Sequence, residues 1–365
     1  VSWLLAFVGF ALLIVLHEAG HFAAAKAVGM KVEKFYLFFP PKLVATKRGE
    51  TEYGIGAIPL GGFVKIAGMN PDEPLPPAEA HRGYYSQPVW KRIVVIAAGP
   101  FVNLVIAFAI LFALGFSLSE PTALDVGEVE PGSPAAGVLE PGDRIVAMNG
   151  VRIRSASSGE QEALVRSFEG FRCRGERTDG CIATEPATVV VERDGERRRF
   201  EVRPFWDAEL ARFRLGFAFE PAGLVPVRQT PPEAASWAFD RMWFVTEQTA
   251  RVLTNIFDPK VREEISGVVG GYEVTRRSFE FDTRQALGVL ALISLSLALI
   301  NLLPFLPLDG GHIFWSLVEK VRRRPVPFRV MERASVIGFA LVLVLFFIGL
   351  TNDIDRLVNE GFDVR

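Results

Sequence analysis

The sequence has little of several things that would point to common functions. Lysine and arginine (40) nearly balance aspartate and glutamate (42), leaving a net charge of −2. No basic excess exists to support a general role on nucleic acid. Cysteine is scarce, with only Cys173 and Cys181 in 365 residues. They lie close together in a polar segment, away from any histidine, so they join no Cys–His cluster. A disulfide and two free thiols both remain open, because spacing alone does not show geometry. No removable signal peptide is expected: the first apolar run lacks a small-residue cleavage site and carries a charged motif.

Apolar residues, in contrast, are plentiful and unevenly placed. Half of the chain is hydrophobic, gathered into long runs separated by polar stretches, the pattern of a polytopic membrane protein carrying a soluble domain. The runs cover about residues 1–28, 89–118, 286–308 and 334–350. Each approaches or exceeds the roughly 20 residues that cross a bilayer as a helix. The expected fold is a polytopic α-helical membrane protein with four transmembrane helices. Residues 1–118 and 286–365 form its two membrane parts. Between the first two runs, Glu52–Ile66 mixes β-formers with glycine and reads as a hairpin or small sheet, set as a β-loop at 49–68. The proline-rich run 70–77 reads as a loop. Residues 119–207 read as a compact β-rich domain and 208–285 as a linker. Within that linker, Pro232–Phe257 carries Trp237, Phe239, Trp243 and Phe244 at spacings that suit an amphipathic helix, at a membrane surface or in a soluble core.

Loop charge sets the orientation. Lys31, Lys34, Lys42, Lys47, Arg48, Lys65 and Arg82 follow the first span, with Lys91 and Arg92 at the loop's end. Lys320, Arg322, Arg323, Arg324, Arg329 and Arg333 follow the third. With four spans these loops share one side, expected to be cytoplasmic, and the β-rich domain and both termini face outward.

The first span carries His17-Glu-Ala-Gly-His21, an H-E-x-x-H pattern, after 16 residues without charge. Residues four apart share one helix face, so both imidazoles reach one metal ion, with Glu18 beside them as general base. Zinc suits two histidines and a carboxylate, with one position left for water. Ionisable groups inside a span are costly and by default functional. Counted from Ser2, His17 lies roughly 22 Å along the helix, nearer the cytoplasmic side. The third ligand is expected to be Asp309 in Asn301-Leu-Leu-Pro-Phe-Leu-Pro-Leu-Asp-Gly-Gly-His312. There two prolines break the third span, and irregular backbone is tolerated at membrane depth where it lines a polar cavity. His312 competes for the same role, and His81 reads as a surface residue.

The two separated motifs together resemble the site-2 protease family, most closely the bacterial regulator-of-sigma-E type. Gly61-Gly-Phe-Val-Lys-Ile-Ala-Gly68 is similar to that family's membrane-associated β-loop, and Ala98-Gly-Pro-Phe-Val-Asn103 to its second span. The resemblance implies a zinc intramembrane metalloprotease with His17, His21 and Asp309 as ligands, Glu18 as catalytic base and Asn301 as a substrate contact. Read by itself, Asn301 equally ties neighbouring helices together, and Asn103 has the same two readings. The segment Val126–Ile153 resembles the PDZ domains of this family, with 188–191 and 199–202 closing the domain as a hairpin. One copy is found, at about 124–204, where the best-known members carry two. A PDZ domain binds extended peptides at a sheet edge; a plug that uses no groove is the alternative.

The resemblance further implies the surroundings: a bacterial inner membrane, with the active site toward the cytoplasm and the PDZ-like domain outside. The implied substrate is a single-pass membrane protein, an anti-sigma factor among the candidates, already trimmed by a site-1-type protease. No nucleic-acid partner is expected. Two other functions compete. A PDZ scaffold without catalysis leaves Glu18 beside two helical histidines unexplained. A metal transporter requires further polar residues along the second and fourth spans, which are nearly empty of them.

Overall fold

A computed structural model describes residues 1–70, 75–153, 158–208 and 210–360. The chain divides into two units, one of residues 1–115 and 230–365, the other of 116–229.

The first unit is helical. Helix α1 (Ser2–Ala27) is apolar for its first four turns, as expected of a span, and α2 (Val89–Gly115) keeps Pro100 inside it. Among the described residues, these two, α7 (Thr283–Asn301) and α9 (Phe328–Asp355) are the helices long and apolar enough to cross a membrane. The third span ends earlier than expected. Helix α7 stops at Asn301, ahead of Pro304 and Pro307, and a separate helix α8 (Asp309–Arg322) comes next. Asp309 is therefore the first residue of a helix rather than part of the irregular stretch, which covers 302–308. The fourth span is longer than the expected 334–350, because α9 already starts at Phe328.

Between α1 and α2 lies a sheet of two long antiparallel strands, β1 (Val32–Arg48) and β2 (Thr51–Ile66). Both bend. The two halves of β2 flank the first half of β1, so that Leu37 faces Gly62 on one side and Ile55 on the other. The sheet thus begins at 32, not 49. Its first strand contains Pro40-Pro41, a pair that reads as loop because neither residue has an amide to donate. Residues 71–74 of the expected proline-rich loop lie outside the described residues.

Helices α4 (Pro231–Thr254), α5 (Pro259–Glu264) and α6 (Val268–Phe281) also belong to this unit. Helix α4 starts at a capping box formed by Thr230 and Glu233, which satisfies its first free amides. It lays Ala234 and Ala238 against Gly115 and Leu111 of α2 and Ala291 of α7, and leaves Phe239 and Trp243 exposed. Small residues and Trp237 face the spanning helices, which gives the amphipathic helix a packing partner.

The second unit is built on a sheet in the order β10-β3-β4-β6-β7, with β5 pairing β4. Its strands are β3 (Ser119–Val129), β4 (Arg144–Met148), β5 (Val151–Arg152), β6 (Ala187–Arg193), β7 (Glu196–Val202) and β10 (Phe217–Pro226). Helix α3 (Ser158–Arg166) and a small ribbon of β8 (Phe205–Asp207) and β9 (Arg212–Arg214) complete it. The core holds Leu124, Val126, Ile145, Met148, Val189 and Val191; Leu124/Val126 and Val189/Val191 are alternate positions that face one side of a pleated sheet, and an irregularity between Ile145 and Ala147 lets β4 add Met148 to the same core. The β6–β7 hairpin turns at Asp194-Gly195, both at positive φ. The domain expected to end at 207 runs on to 229, because β10 pairs antiparallel with β3. Part of the expected linker is thus a strand of the sheet. Cys173 and Cys181 are joined as a disulfide.

Candidate metal centre

Three side chains from opposite ends of the chain meet in the helical unit. His17 and His21 lie one turn apart on α1, both 7 % exposed, with their rings edge to face. Asp309 opens α8 and points its Oδ2 at them. That atom lies 3.3 Å from His17 Nε2 and 3.3 Å from His21 Nε2, and the two Nε2 atoms are 3.3 Å apart. Among the described residues, this trio is the group of metal-ligating side chains close enough to hold one ion.

The triangle fits a tetrahedral metal. Ligands about 2.0–2.1 Å from zinc stand about 3.3 Å from each other at tetrahedral angles. Three further features agree. Asp309 Oδ2 is buried and has no hydrogen-bond partner, although a buried carboxylate oxygen ordinarily finds one. His21 Nδ1 lies 2.9 Å from the carbonyl of Val95. Donating there, it leaves Nε2 as the lone-pair atom, the arrangement that orients a metal-bound histidine. Gly99 of α2 supplies the clearance: a Cβ on it would lie 2.3 Å from His21 Nε2 and 2.9 Å from His17 Nε2. A side chain at this position would occupy the space the three atoms enclose.

Glu18 is half-buried beside the trio, under the last stretch of β2. A Cβ on Gly62 would come within 2.9 Å of Glu18 Cγ and 3.2 Å of Ile14. The strand can approach this closely only because the residue is glycine. Asp309 owes its position to the same principle. Gly310 and Gly311 pack so tightly on 302–306 that a Cβ would overlap the backbone of Leu302 and Phe305.

The remaining expected residues fall elsewhere. His312 sits one turn after Asp309, lines a small cavity with Tyr84 and Arg92, and is not one of the three clustered ligand groups among the described residues. His81 is exposed in a short 3-10 turn. Asn301 is half-buried at the last residue of α7 and belongs to no hydrogen bond with the trio among the described residues. Asn103 is fully buried, and its carbonyl accepts a hydrogen bond from Ser294 at 3.0 Å, which ties α2 to α7. Gly99 and Gly62 are parts of the site that sequence reading does not single out. The Gly-Pro and Gly-Gly pairs at those positions are the available signal.

The sheet is pinned at its turn by charges outside the trio. Glu50 accepts both prongs of Arg82 at 2.7 and 2.8 Å and also meets Lys26 at the end of α1. The Arg82 guanidinium first, and Lys26 after it, hold the Glu50 carboxyl at about 2, well below the usual carboxylate range.

Comparison with known proteins places these features in a lineage. The family model described as peptidase family M50 matches residues 5–345. The chain is similar to zinc metalloprotease Rip1 of Mycobacterium tuberculosis, 31 % identical over 388 aligned positions, covering 95 % of this chain and 94 % of that one. It is also 28 % identical to the Campylobacter jejuni protein provisionally named zinc metalloprotease Cj1068, over 95 % of this chain and 92 % of the relative.

Proposed function

The chain belongs to peptidase family M50, and from that premise we propose that it is a zinc-dependent endopeptidase that cuts transmembrane segments of single-pass proteins within the bilayer. The observation that carries this reading is the 3.3 Å triangle of His17, His21 and Asp309, two of whose members lie on α1, a helix long and apolar enough to span a membrane. His17 and His21 would ligate through Nε2 and Asp309 through Oδ2. When bound there, zinc supplies the Lewis acidity that makes water a nucleophile near neutral pH.

The protein's own groups do the rest. Glu18 takes the proton of the attacking water and passes it to the leaving amine, as a general base and then a general acid. The Val95 carbonyl keeps His21 in one tautomer. A helical substrate hides its peptide groups in internal hydrogen bonds, so it must unwind before attack. The final stretch of β2, beside Glu18, offers strand pairing that replaces those bonds. Asn301 is the proposed further contact to the unwound segment.

The setting we propose, on the family resemblance, is a bacterial inner membrane, and loop charge supports the orientation with the active site toward the cytoplasm and the β-rich unit outside. In that setting the β unit acts as a PDZ-like screen for substrates already shortened by a site-1-type protease, and an anti-sigma factor is a fitting substrate.

The test is to reconstitute the purified chain with zinc in lipid vesicles beside a single-pass substrate and map the fragments by mass spectrometry. Cleavage within the apolar segment is expected. Cleavage confined to the soluble flanks would contradict an intramembrane site.

A further inference from the structure

Arg92 is only 2 % exposed, in the first turn of α2. Its guanidinium meets Glu319 of α8 in a two-pronged pair, Nη1 to Oε2 at 3.0 Å and Nη2 to Oε1 at 2.6 Å. The rings of Tyr84 and Tyr85 lie 5.9 and 5.4 Å from the guanidinium carbon. A buried ion pair of this kind is a weak source of stability, because apolar residues of similar volume often serve as well or better. Its value lies in geometry: the planar fork accepts one orientation of its carboxylate.

Helix α8 has need of such a constraint. Asp309, His312, Ser316 and Glu319 recur along one stripe. Ser316 is buried and the other three are partly buried. The opposite face exposes Phe314, Leu317 and Val321. This helix is polar inside and apolar outside, the reverse of a helix in water. Apolar contacts carry no direction, so its outer face does not set rotation or register. The close packing of Gly310 and Gly311 fixes one end of the helix. Glu319 lies about 12 Å beyond Gly311, at 1.5 Å per residue. Sliding by one residue would displace the helix by about 1.5 Å and turn it by about 100°. A metal site tolerates about 0.2 Å in its ligand distances.

We propose that Arg92 is a positioning residue for the metal site: its two-pronged pair with Glu319 sets the rotation and register of α8 against α2, and so holds Asp309 Oδ2 opposite the two histidine Nε2 atoms. This rests on the reading of His17, His21 and Asp309 as zinc ligands.

The experiment measures zinc affinity by chelator competition, and visible absorption after cobalt substitution, on the purified full chain. Glu319→Gln keeps the shape and removes the charge; Arg92→Lys keeps the charge and removes the fork; Lys320→Gln is the exposed control. Glu319→Gln should weaken zinc about 10–100-fold, the usual effect of removing an outer support of a ligand. It should also reduce the intensity of the four-coordinate cobalt bands. Arg92→Lys should weaken zinc about tenfold, since an ammonium cannot fork. The reciprocal double variant, Arg92→Glu with Glu319→Arg, should recover most of the loss. Lys320→Gln should match wild type. An unchanged zinc affinity and cobalt spectrum in folded Glu319→Gln protein overturns the proposal. If that variant does not fold, wild-type affinity in Arg92→Lys overturns it instead. Wild-type protein that takes up neither ion sinks the zinc reading itself, whereas wild-type uptake with unchanged variants sinks only the positioning role.

Discussion

Asp309 Oδ2 and His17 Nε2 stand 3.3 Å apart, although one opens α8 and the other closes the apolar run of α1. Both atoms face the same point as His21 Nε2. Asp309→Asn replaces an anionic oxygen with a neutral amide. Zinc affinity should fall by more than the roughly 10–100-fold that outer-shell changes cost. His312→Ala should keep its zinc. Metal analysis of the two purified variants decides it: zinc lost from the His312 variant and kept by the Asp309 variant would reverse the assignment.

Gly99→Ala should separate fold from site. Alanine is a better helix former than glycine by about 1 kcal/mol, so α2 itself gains. The new Cβ, however, would lie 2.3 Å from His21 Nε2. That crowding offsets the gain, and the expected outcome is a protein that still folds and binds no zinc. Wild-type zinc content in Gly99→Ala would show that α2 does not border the site as closely as described.

The two glycine contacts predict different defects. Gly62→Val places a branched side chain where Glu18 Cγ and Ile14 already sit, on the base rather than on the ligands. Turnover should fall about 100-fold or more, within the range a positioned general base contributes, with zinc content unchanged. Loss of zinc together with turnover would contradict the separation of the two roles.

How much of this is legible in the sequence depends on the range of each signal. The His17–Glu18–His21 spacing is local, one helical turn, and needs no tertiary knowledge. Asp309 can be found because the chemistry of two histidines calls for a third donor, and the proline-flanked run marks where a span breaks. That Asp309 begins a new helix is not legible: Pro304 and Pro307 announce an interruption, but neither says whether helix, strand or coil lies beyond it. Strand β10 is hidden because Pro221, Gly223 and Pro226 interrupt it, and its partner β3 lies far away in the chain. Arg92 reads as one of the loop charges that face the cytoplasm, yet it is buried against Glu319. Composition shows that a charge exists, and only packing shows whether it meets water. Gly99 is the clearest case, since its importance lies in atoms of another helix.

The sheet's attachment to α1 should respond to pH through Glu50. Its carboxyl is held at about 2 by Arg82 and Lys26, below the value near 4.5 of a free glutamate. A depressed carboxyl adds stability that is complete above the unfolded value and disappears as pH falls toward the folded one. The melting-temperature difference between wild type and Glu50→Gln should therefore be constant from about pH 6 to 8 and shrink below about pH 4.5. A difference that grows on acidification would contradict the pairing.

The most direct test of the catalytic claim is Glu18→Gln, assayed for metal and for cleavage in the same preparation. Glutamine keeps the size of the side chain and cannot take up a proton. The mechanism predicts wild-type zinc content with cleavage of a membrane-embedded substrate reduced by about 100- to 10,000-fold. Cleavage at the wild-type rate with zinc still bound would show that Glu18 is not the base.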